Sequence, residues 1–402
     1  MSFSNTNNPC PCESGLDYSH CCASSGQAAN EHELDLVQDP KLLTQLPSGV
    51  QAAINDVISS PDFFPVKIVS ARNEVQWVKM SPFWYEGSDF LDANRILGRY
   101  FVKTDINWML DKASGIEWQF APCIFHTAFC GSTLMSKALA SLYDCLPLRE
   151  PDVMGNLAAA IKQGLAVDTR MAHTAMALLS RRYNPYQIAV LKANDHSNAL
   201  MSPLQQWKPV PILFMFVPLA EFVVACLRAE NRKAWIRDRY RYINKTGHLN
   251  DDEYASMAAH YWCYNVNLYE QACREHPEQM RSLNFNVMLD NPLETIQSCA
   301  DWFQLKPKPG IDIRSELSSV MNVYSKGAQA YSPEQRRQDI QKWQTQYKTE
   351  ISQAEQYAKE MMGEAYPGDS LSQPLSIEAT VPPVGEPNKS GFLSRLSSVF
   401  RK

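Results

Sequence analysis

The sequence predicts an α/β fold in which a mainly parallel sheet carries helices on both faces. From about residue 118 onward, short apolar segments alternate with longer amphipathic ones, a pattern typical of β-α-β units. The five predicted strands span 119–127, 145–148, 187–191, 211–217 and 280–285. Helices are predicted over 132–143, 152–165, 170–182, 218–231, 250–275, 292–304 and 333–361. This alternating region predicts one main domain over 116–365.

The pattern differs on either side of the main domain. Residues 31–115 read as an extension, in which 31–60 has the apolar spacing of a helix pair. Within the same extension, 67–78 contains two apolar runs around a polar turn, which predicts a β-hairpin. Beyond the domain, 366–390 is rich in Pro, Ser, Gly and Glu and predicts a disordered linker.

The last twelve residues, 391–402, predict an amphipathic helix with basic side chains beside its apolar face. Its apolar residues are Phe392, Leu393, Leu396, Val399 and Phe400. A basic amphipathic helix is typical of a segment that lies on a membrane surface. Docking into a groove of a partner protein is the first alternative, and packing on its own domain is the second.

The composition is that of a soluble globular protein, with 45% hydrophobic and 20% charged residues. The net charge of -5 argues against a nucleic-acid-coating protein, which is usually basic. The first ten residues have neither a basic nor an apolar segment of a secretory signal, so we expect a cytoplasmic protein, peripheral at the membrane if the final helix binds lipid. In that compartment the eleven cysteines should stay reduced, and the seven outside the N-terminus are expected in the core.

A four-cysteine cluster at residues 1–30 predicts a zinc knuckle. Two closely spaced thiolate pairs around a short turn can surround one Zn²⁺ tetrahedrally. The predicted ligands are Cys10, Cys12, Cys21 and Cys22. Two disulfides are the alternative, and the absence of an export signal favours zinc.

The stretch NPCPCESGLDYSHCC at 8–22 resembles the SEC-C zinc motif. It departs from the motif at Glu13, where the family usually has glycine. The resemblance implies that the knuckle docks onto a protein partner, whereas a merely structural knuckle is the alternative.

The loop after the first predicted strand, HTAFCGST at 126–133, predicts an anion site. A strand, a tight glycine turn and a helix start bring free backbone N–H groups and the positive helix end to one point. A Walker A loop is excluded, because no Lys follows Gly131 and residue 126 is not glycine. An ATPase or GTPase is therefore not expected.

The same loop resembles the phosphosulfate loop of sulfotransferases, P-[KR]-S-G-[ST]-[ST]. Further stretches in the family's order are LREP at 148–151, VLK at 190–192, RSLNF at 281–285 and DNPLET at 290–295. Together they cover about residues 118–305. The resemblance implies a P-loop-like fold and, as cosubstrate, 3′-phosphoadenosine 5′-phosphosulfate.

The resemblance to sulfotransferases implies cofactor-binding and catalytic roles for particular residues of this chain. The cofactor-binding candidates are Thr127, Cys130, Gly131, Ser132, Thr133 and, in a late nucleotide clamp, Lys326. Lys192 would stabilise the transferring sulfuryl group, and His196 is the candidate base. His126 ends the first strand and is interpreted mainly as a core histidine. A nucleophilic pair of Cys130, at a helix start that lowers thiol pKa, with His126 is a further alternative without a third partner.

Several family cations are missing from this chain. Phe129 stands where the phosphosulfate loop has Lys or Arg, and Phe216 stands where an Arg grips the 3′-phosphate. Asn194 occupies the slot of the catalytic His of cytosolic members. Two hypotheses follow: a sulfotransferase with an altered nucleotide clamp, or a non-catalytic adaptor on a degenerate scaffold. The sequence does not specify the acceptor.

Overall fold

The computed structural model describes residues 33–35, 57–91, 101–164, 167–244, 247, 249–322 and 333–377. The four cysteines of the predicted knuckle, Lys326 and the predicted final helix therefore lie outside the described residues.

The extension forms a four-stranded sheet in the order β1-β4-β3-β2. Its strands are β1 (Glu33–Asp35), β2 (Phe63–Val69), β3 (Glu74–Lys79) and β4 (Phe101–Asp105). The predicted hairpin is confirmed, because β2 and β3 pair antiparallel across a short turn in which Asn73 has φ 52°. The predicted helix pair is wrong where it can be checked: residues 33–35 form β1, which pairs parallel with β4.

The main domain has a five-stranded sheet in which every described neighbour pair is parallel, in the order β6-β7-β5-β8-β9. Its strands are β5 (Cys123–His126), β6 (Cys145–Arg149), β7 (Ile188–Lys192), β8 (Ile212–Phe216) and β9 (Met280–Asn284). Each strand lies inside its predicted range, except that β6 and β7 run one residue further. The parallel sheet predicted from the alternating pattern is confirmed.

Fourteen helices are defined in the described parts of the chain. They are α1 (Pro82–Gly87), α2 (Ile106–Ala113), α3 (Ser132–Leu142), α4 (Asp152–Lys162), α5 (Thr169–Leu179), α6 (Met201–Trp207), α7 (Leu219–Leu227), α8 (Glu230–Ile243), α9 (Tyr254–Glu275), α10 (Phe285–Asp290), α11 (Pro292–Trp302), α12 (Ile313–Met321), α13 (Pro333–Gln346) and α14 (Lys348–Met362). The helix predicted over 333–361 is divided, because Tyr347 separates α13 from α14. The helix predicted over 218–231 ends early as α7, and after extended backbone at Ala229 the chain forms α8, most of which lies beyond the predicted range. No described helix has the length and hydropathy needed to cross a bilayer.

The sheet is buried because helices pack around it. Every residue of β5, β6 and β8 is buried, as expected for strands with both faces covered. The seven cysteines outside the N-terminal cluster are all unpaired and buried, which confirms their prediction as small core residues.

The segment after α14 differs from its prediction as a linker. Residues 371–375 run beside β9, where Ser282 donates its backbone N–H to the carbonyl of Gln373 and its own carbonyl accepts the N–H of Leu375, both at 2.8 Å. Leu371 and Leu375 are buried there, and the hydroxyl of Tyr269 donates to the carbonyl of Ser372 at 2.7 Å. The Pro- and Ser-rich composition does not indicate this pairing. The segment is held by two buried leucines and a few hydrogen bonds at the edge of the sheet.

Candidate functional site

The loop between β5 and α3 has the strand–turn–helix geometry that the sequence predicts. Ala128, Phe129 and Gly131 all have positive φ, at 71°, 54° and 71°. The N-cap residue of α3 is Gly131, which has no side chain to cap the helix. The amino end of an eleven-residue helix therefore lies at the carboxyl edge of the sheet, where open α/β folds collect ligand-binding groups.

The polar residues of this loop are buried. Thr127, Cys130, Ser132 and Thr133 are each no more than 6% exposed, and Gly131 is half-buried. The backbone N–H of Thr127 is used by β8, since it donates to the carbonyl of Met215 at 3.1 Å. The structure thus brings the predicted loop residues together. The amide of Thr127 is already hydrogen-bonded to β8, so it is not available to bind an anion.

Aromatic side chains surround the loop. The Phe129 ring packs on Trp235 with ring centroids 4.9 Å apart, and the Arg232 guanidinium lies 4.8 Å from its centroid. A Cβ added to Gly131 would meet the ring of Phe285, with Cζ 2.6 Å away and two further ring atoms closer. The guanidinium of Arg336 lies 4.8 Å from the centroid of Phe285. Two cations that the sequence analysis did not assign to the site therefore flank the loop across aromatic rings.

The thiol of Cys130 is protonated at neutral pH. Burial raises its pKa to about 11, although the backbone N–H and hydroxyl of Ser132 and the charge of Lys192 act in the opposite direction. The expectation that the helix start lowers this pKa is wrong, because desolvation of the thiolate outweighs the helix end. A Cys130 nucleophile is not supported.

His126 is a satisfied core histidine, as predicted. Its Nε2 donates to the carbonyl of Ala193 at 2.9 Å, and its Nδ1 accepts the backbone N–H of Ala128 at 3.0 Å. These bonds fix the tautomer and orient the loop. Both ring nitrogens have protein partners, so this histidine has a structural part in the site.

Lys192 ends β7 and is 1% exposed. Its Nζ makes an ion pair with Glu150, which follows β6 and has a left-handed backbone, φ 54°. The backbone N–H of Glu150 also donates to the carbonyl of Lys192 at 2.6 Å. Lys192 thus stands at the carboxyl edge near Cys130, with its charge balanced by a carboxylate that the sequence analysis missed.

His196 belongs to a short 3-10 helix, Asp195–Leu200, that follows β7. Its Nδ1 lies 3.8 Å from Oδ1 of Asp195, and its Nε2 faces the backbone of Gly155, where an added Cβ would lie 2.7 Å away. His196 is therefore packed against α4. This contact does not favour the base role that the sequence resemblance suggested for it.

Asp195 is the centre of a buried polar cluster. It accepts a hydrogen bond from the hydroxyl of Tyr261 at 2.6 Å and one from Nη2 of Arg239 at 3.2 Å, while Nε of Arg239 lies 2.7 Å from Oδ2. Burial disfavours its charged form, but His196, Arg239 and Tyr261 outweigh it and hold the pKa of Asp195 well below its usual range. The cluster ties α8 and α9 to the carboxyl end of β7.

A second cluster joins α13 to the same edge of the sheet. Nη2 of Arg336 donates to Glu221 at 2.8 Å, and Nη1 donates to Asn286 at 3.2 Å. The side chain of Asn286 also bonds to Glu221. Glu221 is buried in the first turn of α7, so this network fixes Phe285 and, through it, the packing of Gly131.

Two further basic residues of the neighbouring elements, Lys137 and Arg149, have side chains that bond to other groups. Lys137 pairs with Asp89 at 2.7 Å, and the bonds of Arg149 go to Ser136 and to backbone carbonyls of α1 and its neighbour Ser88. The described residues contain no group of three or more His, Cys, Asp or Glu side chains that could hold a metal ion.

Comparisons with known proteins identify one motif. Residues 7–24 match the family described as the SEC-C motif. This match confirms the resemblance of residues 8–22 to the SEC-C motif. The structure is similar to that of a sulfotransferase from Alicyclobacillus acidocaldarius, with a TM-score of 0.31, 10% sequence identity, and coverage of 60% of this chain and 95% of that chain. None of the curated proteins compared with the chain matches it.

Proposed function

We propose that this chain is a sulfotransferase that moves a sulfuryl group from 3′-phosphoadenosine 5′-phosphosulfate to a hydroxyl or amine acceptor. The observation that carries the proposal is the uncapped amino end of α3, which follows a buried strand at the carboxyl edge of a parallel sheet with Lys192 nearby. Amides there would hold the phosphosulfate, since a helix start favours negative charge.

The transfer is an in-line substitution at sulfur. The bond from sulfur to the 5′-phosphate oxygen breaks, a bond to the acceptor oxygen or nitrogen forms, and 3′-phosphoadenosine 5′-phosphate leaves. Lys192 and the amides of α3 would stabilise the charge on the leaving phosphate. The acceptor proton would pass to a carboxylate, for which Glu150, beside Lys192, is the candidate.

Removal of the Lys192 charge tests its role. Because Lys192 is buried, we replace both partners, as Lys192→Gln with Glu150→Gln, so that no lone charge is left in the core. We expect this variant to bind 3′-phosphoadenosine 5′-phosphate about tenfold more weakly, since a charge-assisted hydrogen bond is lost. Isothermal titration of the full chain measures this, with the exposed Lys306→Gln as control. Equal affinity of the double variant and the wild type for the nucleotide would show that Lys192 does not contribute to nucleotide binding.

A non-catalytic partner-binding protein is the second candidate. The burial of Thr127 and Cys130, the packing of Phe285 on Gly131 and the pairing of Lys192 with Glu150 favour it, because each reduces the room or the positive charge open to a nucleotide. In that case the full chain does not bind 3′-phosphoadenosine 5′-phosphate at millimolar concentration.

The same chain is proposed to hold one Zn²⁺ through Cys10, Cys12, Cys21 and Cys22, in a module that docks onto a protein partner. Four thiolates in two close pairs suit tetrahedral Zn²⁺. We expect Cys21→Ser protein to lose stoichiometric zinc in elemental analysis. Cys273→Ser is the matched control, because Cys273 is buried in α9 and should not affect the metal content. Full zinc retention by Cys21→Ser would mean that the ligands lie elsewhere.

A further inference from the structure

A cavity of about 490 Å³ lies between α1, α3 and α12, separate from the ion pair of Lys192. Leu134, Ala140 and Val320 give it apolar walls. Phe83, which also lines it, is 49% exposed. The volume is in the range of pockets for small organic ligands.

A buried cation lines the cavity without a carboxylate partner. Arg149 is 1% exposed and forms no ion pair with a described carboxylate, although Asp89 and Glu86 are close enough to oppose the lowering of its pKa by burial. Its Nε donates to Ser136 at 3.1 Å, and its Nη1 donates to the carbonyls of Glu86 and Ser88 at 3.0 and 2.8 Å. Its Nη2 has no acceptor among the described residues. Because Arg149 lines the cavity, this donor is available to an anion that enters it.

Two lysines add to the positive charge of the same cavity. Lys137 pairs with Asp89 at 2.7 Å, whereas Nζ of Lys308 is 3.8 Å from Glu86, too far for a hydrogen bond. Among the described residues that line the cavity or pair with its lining, these three cations face the two carboxylates Glu86 and Asp89, which leaves one positive charge over. This surplus lies next to apolar walls.

We propose that the cavity binds a small amphiphilic anion, namely a carboxylate on an unbranched apolar chain. The carboxylate meets Nη2 of Arg149 with Lys308 nearby, since carboxylates suit the guanidinium donor geometry. The apolar chain lies against Leu134, Ala140 and Val320, and its surface is thereby removed from water. This site goes beyond the proposed sulfuryl transfer and does not depend on it.

Isothermal titration of the full chain with octanoate tests the site. Acetate supplies the charge without the chain, and 1-octanol supplies the chain without the charge. We expect octanoate to bind at least about tenfold more tightly than either, because each of them lacks one of the two interactions. If octanoate does not bind at millimolar concentration, or binds no better than 1-octanol, the proposal is wrong.

Substitutions of residues that line the cavity test whether octanoate binds there. Lys137→Gln with Lys308→Gln should weaken octanoate binding about tenfold and leave 1-octanol binding unchanged, because it removes charge alone. Ser141→Phe should weaken both, since its ring fills the cavity that Ser141 lines. Lys306→Gln, two residues from Lys308 and exposed, is the control and should bind like the wild type. Urea unfolding verifies that each variant is folded, and unchanged octanoate binding in both cavity variants overturns the assignment.

Discussion

Asp195→Asn is expected to lower the free energy of unfolding by about 3–5 kcal/mol, as for other buried ion pairs broken at one partner. The substitution leaves the guanidinium of Arg239 without its carboxylate in a mostly buried position. It also weakens the bond from the Tyr261 hydroxyl, which now meets a neutral oxygen. Urea unfolding followed by circular dichroism measures the loss.

The same residue makes the wild type sensitive to acid. The pKa of Asp195 in the folded state is far below its unfolded value of about 3.9. Its contribution to stability is therefore fully present above that unfolded pKa, and it is lost as the pH falls toward the folded pKa. We expect the stability difference between wild type and Asp195→Asn to shrink when unfolding is measured below about pH 4.

An exposed ion pair gives the matched control. Asp111 pairs with Arg170 at 3.1 Å, and both side chains are more than half exposed. We expect Asp111→Asn to change stability by less than about 1 kcal/mol, because water screens the pair. An Asp195→Asn variant as mild as this control would show that the cluster around Asp195 does not hold α8 and α9 to the sheet.

Gly131→Ala is expected to lower the free energy of unfolding by about 2–4 kcal/mol, from backbone strain at positive φ together with overpacking. Its φ is 71°, and the new Cβ would enter the ring of Phe285. Urea unfolding measures the cost, which should fall when Phe285→Leu is added, because leucine lacks the ring atoms that cause the clash.

Gly310→Ala separates the two causes. Gly310 has φ 73° and no atom within 4 Å of an added Cβ, so this variant should show the backbone cost alone, about 1 kcal/mol. If Gly131→Ala costs no more than Gly310→Ala, the contact with Phe285 does not constrain the loop.

The local sequence was sufficient to predict the main sheet and the loop. Apolar runs such as 211–217 are buried strands, and the glycine turn at 131 does join β5 to α3. The prediction was wrong at 33–35, because short apolar spacing fits a helix or a strand and pairing with β4, more than sixty residues away, decides between them. It was also wrong at 367–377, where packing on β9 overrides the composition.

The site was harder to predict than the fold, because its partners come from distant segments. Glu150 meets Lys192, and Arg336 meets Glu221, through contacts that no local pattern reports. A signal for one of them was present: Glu150 belongs to the stretch at 148–151 that resembles the sulfotransferase family. The effect of burial on the pKa of Cys130 could not be read from its place at a helix start, since desolvation depends on the whole core.

Exchange of the loop amides with solvent tests the central claim most directly. In full-length protein labelled with ¹⁵N-glycine, serine and threonine, the amide signals of Gly131, Ser132 and Thr133 report on the amino end of α3. Addition of 3′-phosphoadenosine 5′-phosphate should shift these signals and slow their hydrogen exchange, whereas adenosine, which lacks phosphate, should do neither. Unchanged exchange at these amides with the nucleotide at millimolar concentration would contradict an anion site at this loop.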